Sequence, residues 1–336
     1  MTHTVRQHAV VTLALLLALP EPARAYLKFS VQTLRAGTVT LRWDASRPVR
    51  YFVTNRGVPG VSASDFQAAV ARAFDTWEAV PTASIRFQFA GFTNAEPFED
   101  DDLSVLGFQN KPELERVLGA TGFVVDVLTG EIVEADIFFN SAFDWSTASA
   151  GQPGRFDVQS TALHEIGHFL GLGHSALGET EVRGVGRRVL ASGAVMFPIS
   201  FGPGNTADRE LQPDDIAGVS DLYPEAGFRN ATGAARGQVT RGGRPLFGAH
   251  VVAFNPATRA LIGGFSANTN GEFQIAGLTP GPHVIRVEPL DDADVDSFFS
   301  GEDAVDVDFQ VTYFERLFIA PRGGVGGRFV VEVRPK

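Results

Sequence analysis

The chain has 336 residues, 44% of them hydrophobic and 20% charged, with a formal net charge of −11 and no cysteine. That length allows two domains with substantial cores, and the composition is that of an ordinary folded chain rather than a fibrous or disordered one. The acidic balance argues against nucleic acid and anionic membrane surfaces as partners, and the lack of cysteine excludes disulfides.

Taken in chain order, residues 1–25 carry Arg6, an apolar run from Ala9 to Leu19 broken by Thr12, then Pro20 and the small-residue pattern Ala23-Arg24-Ala25. A run of about eleven residues is too short to span a bilayer, so a secretory signal peptide cleaved after Ala25 is expected. The implied destination is extracellular, and bacterial export is the simpler route for a cysteine-free chain. No later run approaches a membrane span, and no membrane insertion is expected. β-rich runs follow from Val39 to Val53, with Val49–Val53 as a strand. In SASDFQAAVARAFDTWEAV, Phe66, Val70, Ala73, Phe74, Trp77 and Val80 recur at helical spacing, and Ser64 with Gln67 reads as a capping box. Strands are predicted at 85–92, 122–128 and 132–140, the last two joined as a hairpin through Thr129-Gly130-Glu131. Asp157 then reads as the N-cap of a helix starting near Val158.

That helix opens HEIGHFLGLGH, residues 164–174. His164 and His168 are about 400° of turn apart, so both imidazoles leave one helix face at chelate spacing. A continued helix would carry His174 away from them. Gly171 sits where a C-cap needs a left-handed backbone, and Gly173 loosens the return, so the third histidine is expected to fold back. Glu165 then projects beside the centre without being a ligand. Imidazoles without cysteine suit a single Zn²⁺, and three protein ligands leave a fourth position for water. Ordinary residue frequencies produce the full pattern in about one chain of this length in a hundred thousand. The chemistry this predicts is hydrolytic, with Glu165 as the base.

Met196 lies in AVMFP, where by itself it reads as a core gap-filler. LQPDDIAGVSDLYP carries Pro213 in a first turn and Ile216, Val219 and Leu222 on one face, a closing helix. After Tyr223-Pro224 short strands punctuated by Gly and Pro take over, with no helical run. His250 and His283 in this part read as structural or solvent-facing. The acidic clusters at 99–102 and 291–308 are candidate Ca²⁺ sites, although such runs are more often solvated loops.

H-E-x-x-H-x-x-G-x-x-H is the metzincin zinc-peptidase motif, and Ser175 after the third histidine makes the chain resemble the matrixin branch. The resemblance covers roughly residues 46–224 and includes Ala73-Phe74-x-x-Trp77 in the first helix. It implies zinc on His164, His168 and His174, Glu165 as general base, Met196 as the Met-turn beneath the metal, and Phe197 and Pro198 at the substrate cleft. Position 198 is proline, so the zinc-binding tyrosine of astacin-like relatives is not expected. The expected fold is α+β: a metzincin-like catalytic domain, with a twisted mixed sheet and three helices, followed by a small all-β sandwich domain. The expected boundaries are 1–25 for the signal peptide, 26–230 for the catalytic domain and 231–336 for the sandwich. The sandwich resembles the carboxypeptidase-regulatory-like, transthyretin-type domain of secreted bacterial proteins. It is expected to be a separable accessory, so that a chain ending near Tyr223 keeps small-peptide activity.

Protein or peptide substrates are implied, extended along an edge strand at 132–140; nothing in the sequence fixes the oligomeric state. The other reading is a surface-binding or adhesion protein with a structural zinc and a working sandwich module. Against the vertebrate enzymes, the chain has no propeptide cysteine for latency, the short stretch after Tyr26 leaves little room for a folded prodomain, and the spare histidines are too few for a second structural zinc. The loop 175–195 is longer than the family pattern and is expected to border the cleft. Asp44, in LRWDASRP, is the lone carboxylate between Tyr26 and Ser64. It reads as a turn residue bonding its own backbone or, by resemblance to bacterial matrixins silenced by a pro-segment aspartate, as a latency ligand.

Overall fold

The computed structural model describes the backbone of residues 8–11, and residues 27–33, 37–184, 186–266, 270–299 and 305–336. The expected signal-peptide cleavage point at Ala25 lies outside the described residues. His8–Val11 run antiparallel to Phe123–Asp126.

Five further strands complete this central sheet: β1 (Val49–Thr54), β2 (Phe87–Thr93), β3 (Val105–Gln109), β4 (Gly119–Asp126) and β5 (Ile132–Asn140). Their spatial order is β2-β1-β3-β5-β4, with β4 antiparallel to β5 and the rest parallel. The strand 132–140 therefore is not an edge. It is buried at almost every position and lies between β3 and β4, while β4 flanks the cleft. The edge was implied by the resemblance alone, and Glu134 and Asp136 within the strand are both buried. In the fold Asp136 accepts the N–H groups of Phe98 and Val105 at 2.6 and 2.7 Å, which allows a carboxyl in the interior.

Helix α1 (Ala63–Glu78) buries Phe66, Ala69, Val70, Ala73, Phe74 and Trp77. Its cap is Ser62 rather than Ser64: Ser62 Oγ accepts Asp65 N–H at 3.1 Å. The buried stripe packs on helix α2 (Val158–Phe169), and Trp77 Nε1 donates to the Leu163 carbonyl at 2.9 Å. This places α2 beneath the sheet with one face toward β4. Helix α3 (Pro213–Leu222) has its proline at the first turn, where a missing N–H is harmless. It ends at Tyr223, whose hydroxyl donates to the Leu170 carbonyl at 2.6 Å and accepts Trp43 N–H at 3.1 Å. A mixed sheet, these three helices and a smaller β-rich unit match the expected fold class.

From Gly233 onward two sheets pack face to face. One holds Gly233–Arg241 between Glu272–Leu278 and Phe329–Val333; the other joins His250–Phe254, Leu261–Phe265 and Gly281–Glu288. Phe273, Ile275, Ile285, Val287 and Phe309 fill the space between them. His250 and His283 are buried, and His250 Nδ1 lies 2.9 Å from Glu288 Oε1. The junction with the sheet-and-helix unit is not a tether. Ala176, Val189 and Phe197 share one apolar core with Phe265, Leu290, Ala293, Phe298 and Phe299, and Ala217 of α3 belongs to the β-rich core itself.

Candidate metal centre

The local sequence builds the centre from the helix outward. Asp157 caps α2 by accepting Ser160 N–H at 2.8 Å, and Arg209 grips the same carboxylate at 2.5 and 2.8 Å. The helix stops at Leu170, and Gly171 follows with φ 98°. A Cβ there would stand 2.6 Å from the Leu41 carbonyl oxygen, so both conformation and space call for glycine. The chain reverses as the sequence predicts, and His174 returns to the first two rings.

The ligand nitrogens of His164, His168 and His174 lie within 4.8 Å of one another, the sole such group of three or more His, Asp or Glu among the described residues. Nε2 of His168 and of His174 are 3.2 Å apart. Around a tetrahedral zinc with bonds of about 2.0–2.1 Å, neighbouring nitrogens stand about 3.3 Å apart, so the donor set fits that ion. The remaining nitrogens fix the rings. His164 Nδ1 bonds the Val195 carbonyl at 2.7 Å, His168 Nδ1 the Leu172 carbonyl at 2.8 Å, and His174 Nδ1 the Ser297 carbonyl at 2.6 Å. A carbonyl only accepts, so each Nδ1 carries the proton and each Nε2 turns a lone pair to the centre. Burial lowers all three pKa values, that of His174 to about 3 with help from the His164 charge, which keeps the imidazoles neutral as ligands must be.

Glu165 is buried beside them. Its Oε2 lies 2.8 Å from the Thr121 hydroxyl of β4, and burial pushes the carboxyl up to about 7 against that hydrogen bond. Met196 sits under α2 with its sulfur against Gly167. The turn that carries it is held by Asp215, which accepts Val195 N–H and Met196 N–H at 2.9 and 3.2 Å. The same carboxyl caps α3 at Gln212. Thr121, Asp215 and the Ser297 carbonyl were missed from sequence. Asp215 alone had a signal there: an acid at the third position of a helix opened by Pro213.

A cleft of about 790 Å³ opens over the centre. Phe197 and Pro198 both line it, although the Phe197 ring is mostly committed to the junction core. The long loop is a hairpin, Gly178–Arg183 with Gly186–Ser192, and Arg183 and Arg187 reach the cleft as expected of a bordering segment. Asp44 does not come to the histidines. It lines a different depression, beside Tyr223, and accepts Ser46 N–H at 3.0 Å, which lowers its pKa and fits the turn role.

Asp214 ties the two units together. Its carboxyl accepts the Ser175 hydroxyl at 2.6 Å and Gly263 N–H at 2.8 Å, and burial, then the Asp215 charge, push it up to about 7. A carboxyl raised on folding favours the folded state in its protonated form; that contribution is complete below pH about 4 and is lost as pH rises through about 7. Asp214→Asn should therefore match the wild type near pH 4 and exceed it by about 1 to 4 kcal/mol above pH 7, read from urea midpoints. A gap that does not change with pH would show that this carboxyl does not titrate on unfolding.

Fold and centre together define a metzincin-type zinc metallopeptidase domain. The matrixin family model matches residues 42–224, and the chain belongs to that family. Metalloendoproteinase 1 of Glycine max is 31% identical over 173 residues, 47% of this chain and 45% of that protein. Matrix metalloproteinase-16 of Homo sapiens is 25% identical over 209 residues, 61% of this chain and 31% of that protein. The chain thus spans under half the length of these relatives. A solved structure, the Bacillus anthracis TIE protein, aligns with a TM-score of 0.19 at 11% identity over 31% of this chain and 17% of that one.

Proposed function

We propose that the chain is a secreted, bacterial zinc endopeptidase that cleaves peptide bonds within extracellular proteins. It would carry a signal peptide at 1–25, a catalytic unit at 26–230 and a carboxypeptidase-regulatory-like sandwich at 231–336. The observation that carries the reading is the convergence of three lone pairs at the floor of an open cleft, with a carboxylate beside them. A purely structural zinc has no use for that carboxylate and prefers a fourth protein ligand, which counts against the adhesion reading.

His164, His168 and His174 would hold the ion. When bound, zinc acidifies a water and polarises the scissile carbonyl. Glu165 would accept a proton from water on a carboxylate oxygen and return it to the leaving amine. Thr121 holds the carboxylate in place, and Met196 closes the floor. The substrate backbone lies along Leu118–Thr121, the stretch at the start of β4 that faces the cleft, in strand-addition fashion. Among the described residues no helix is long and apolar enough to cross a membrane.

The test is proteolysis of a broad peptide library alongside measured zinc content. Cleavage should be internal to the peptides, vanish with a chelator and return with zinc. A protein that binds zinc and cleaves nothing would leave the adhesion reading standing.

A further inference from the structure

Two of the three histidines take their second hydrogen bond from the matrixin unit itself, through Val195 and Leu172. The third does not. His174 Nδ1 bonds the Ser297 carbonyl at 2.6 Å, across 123 residues of sequence, and Ser297 belongs to the β-rich part. We propose that the segment 290–299 of the β-rich part is a built-in component of the metal centre, with the Ser297 carbonyl as the positioning group for His174 and the segment as one wall of the cleft. The proposal rests on the zinc reading above but not on proteolysis.

The segment is shaped and anchored for that task. Val295–Ser297 is a short 3₁₀ turn closed by Ser297 N–H to the Asp294 carbonyl and Phe298 N–H to the Val295 carbonyl, both 2.9 Å. Immediately after it, Phe298 and Phe299 are buried against Phe265, with ring centroids 5.6 and 5.4 Å away. The Phe298 ring also meets the His174 ring at 6.5 Å. Asp294 and Ser297 line the same cleft as Glu165. On the hairpin side, Thr180 N–H and hydroxyl bond Asp292 at 2.6 and 2.7 Å, and Arg187 bonds the Asp291 carbonyl at 2.8 Å.

A second tether acts on the residue next to His174. Ser175 donates to Asp214, and Asp214 accepts Gly263 N–H from the β-rich part. His174 is thus held through its ring and through its neighbour by the same partner. Carbonyls that orient ligand histidines fix the tautomer and ring direction, and their loss typically weakens metal binding by about 10- to 100-fold. A carbonyl cannot be removed by side-chain substitution, but the ring that seats the turn can.

The test uses the full chain with Phe298→Ala, Asp292→Ala and Ile285→Ala, the last a core residue of the sandwich away from the cleft. Zinc affinity is read by chelator competition, the ligand field by the visible spectrum of the cobalt-substituted protein, and integrity by tryptophan fluorescence in urea. All three tryptophans, Trp43, Trp77 and Trp145, lie in the catalytic unit, so the last readout reports that unit alone. Phe298→Ala should weaken zinc by about 10- to 100-fold and alter the cobalt spectrum, Asp292→Ala should act in the same direction more weakly, and Ile285→Ala should leave both near wild type. Unchanged affinity and spectrum in folded Phe298→Ala would overturn the proposal, as would an equal loss in Ile285→Ala. Should Phe298→Ala not fold, Asp292→Ala decides by the same two readouts. Wild-type protein that binds no zinc would overturn the zinc reading itself, a distinct result.

Discussion

Glu165→Gln should leave zinc content unchanged and lower kcat for peptide cleavage by about 10²- to 10⁴-fold, the usual contribution of a positioned general base. Glutamine keeps the shape and a partner for the Thr121 hydroxyl, 2.8 Å from Oε2 in the wild type, but has no basic oxygen. Glu165→Ala should be at least as inactive. Because neither variant touches a ligand nitrogen, metal analysis separates loss of the base from loss of the site. Cleavage by zinc-loaded Glu165→Gln within a few-fold of wild type would remove Glu165 from the mechanism and leave the carboxylate a structural role on β4.

Gly167→Ala should reverse the ordinary helix rule. At an exposed helix position, replacing glycine by alanine stabilises by about 1 kcal/mol. Here an added Cβ would sit 2.1 Å from Met196 Sδ and 3.1 Å from Trp77 Cζ2. Trp77 is fully buried and held by its bond to the Leu163 carbonyl, so it cannot retreat. The methionine must move, and its turn is tied to Asp215 and, through Val195, to the His164 ring. Overpacking a filled core costs about 1 to 3 kcal/mol, which exceeds the helix gain. Urea unfolding followed by tryptophan fluorescence should show a lower midpoint, and zinc affinity should fall with it. A midpoint above that of wild type would mean that the floor under the histidines is soft.

How much was readable in advance follows from distance along the chain. The spacing of His164, Glu165 and His168 is a property of one helix, and the return of His174 is written in Gly171, so the centre was legible within eleven residues. The span 132–140 was right as well, since an apolar run between turn residues marks its own ends. Which strand forms the rim was not legible. Pairing partners are chosen by the whole sheet, the edge at 132–140 was implied by resemblance alone, and the backbone donors that let Asp136 sit inside β5 lie far off in sequence at Phe98 and Val105. The helix cap slipped by two residues because Ser62 and Ser64 offer the same hydroxyl, and tertiary placement decides between them. Ser297 carries no mark at all, since a backbone carbonyl has no residue type.

The junction core sets an order of events. Its members run from Ala176 to Phe299, so it cannot close while the later half of the chain is still missing. A polypeptide made from its N-terminus has finished the histidine helix and the methionine turn long before Ser297 exists. Non-local contacts of this kind are also slow to form, because a long loop must be closed before any contact rewards it. The wall of the cleft is thus set in place late, and the newborn chain spends most of its synthesis with that side open.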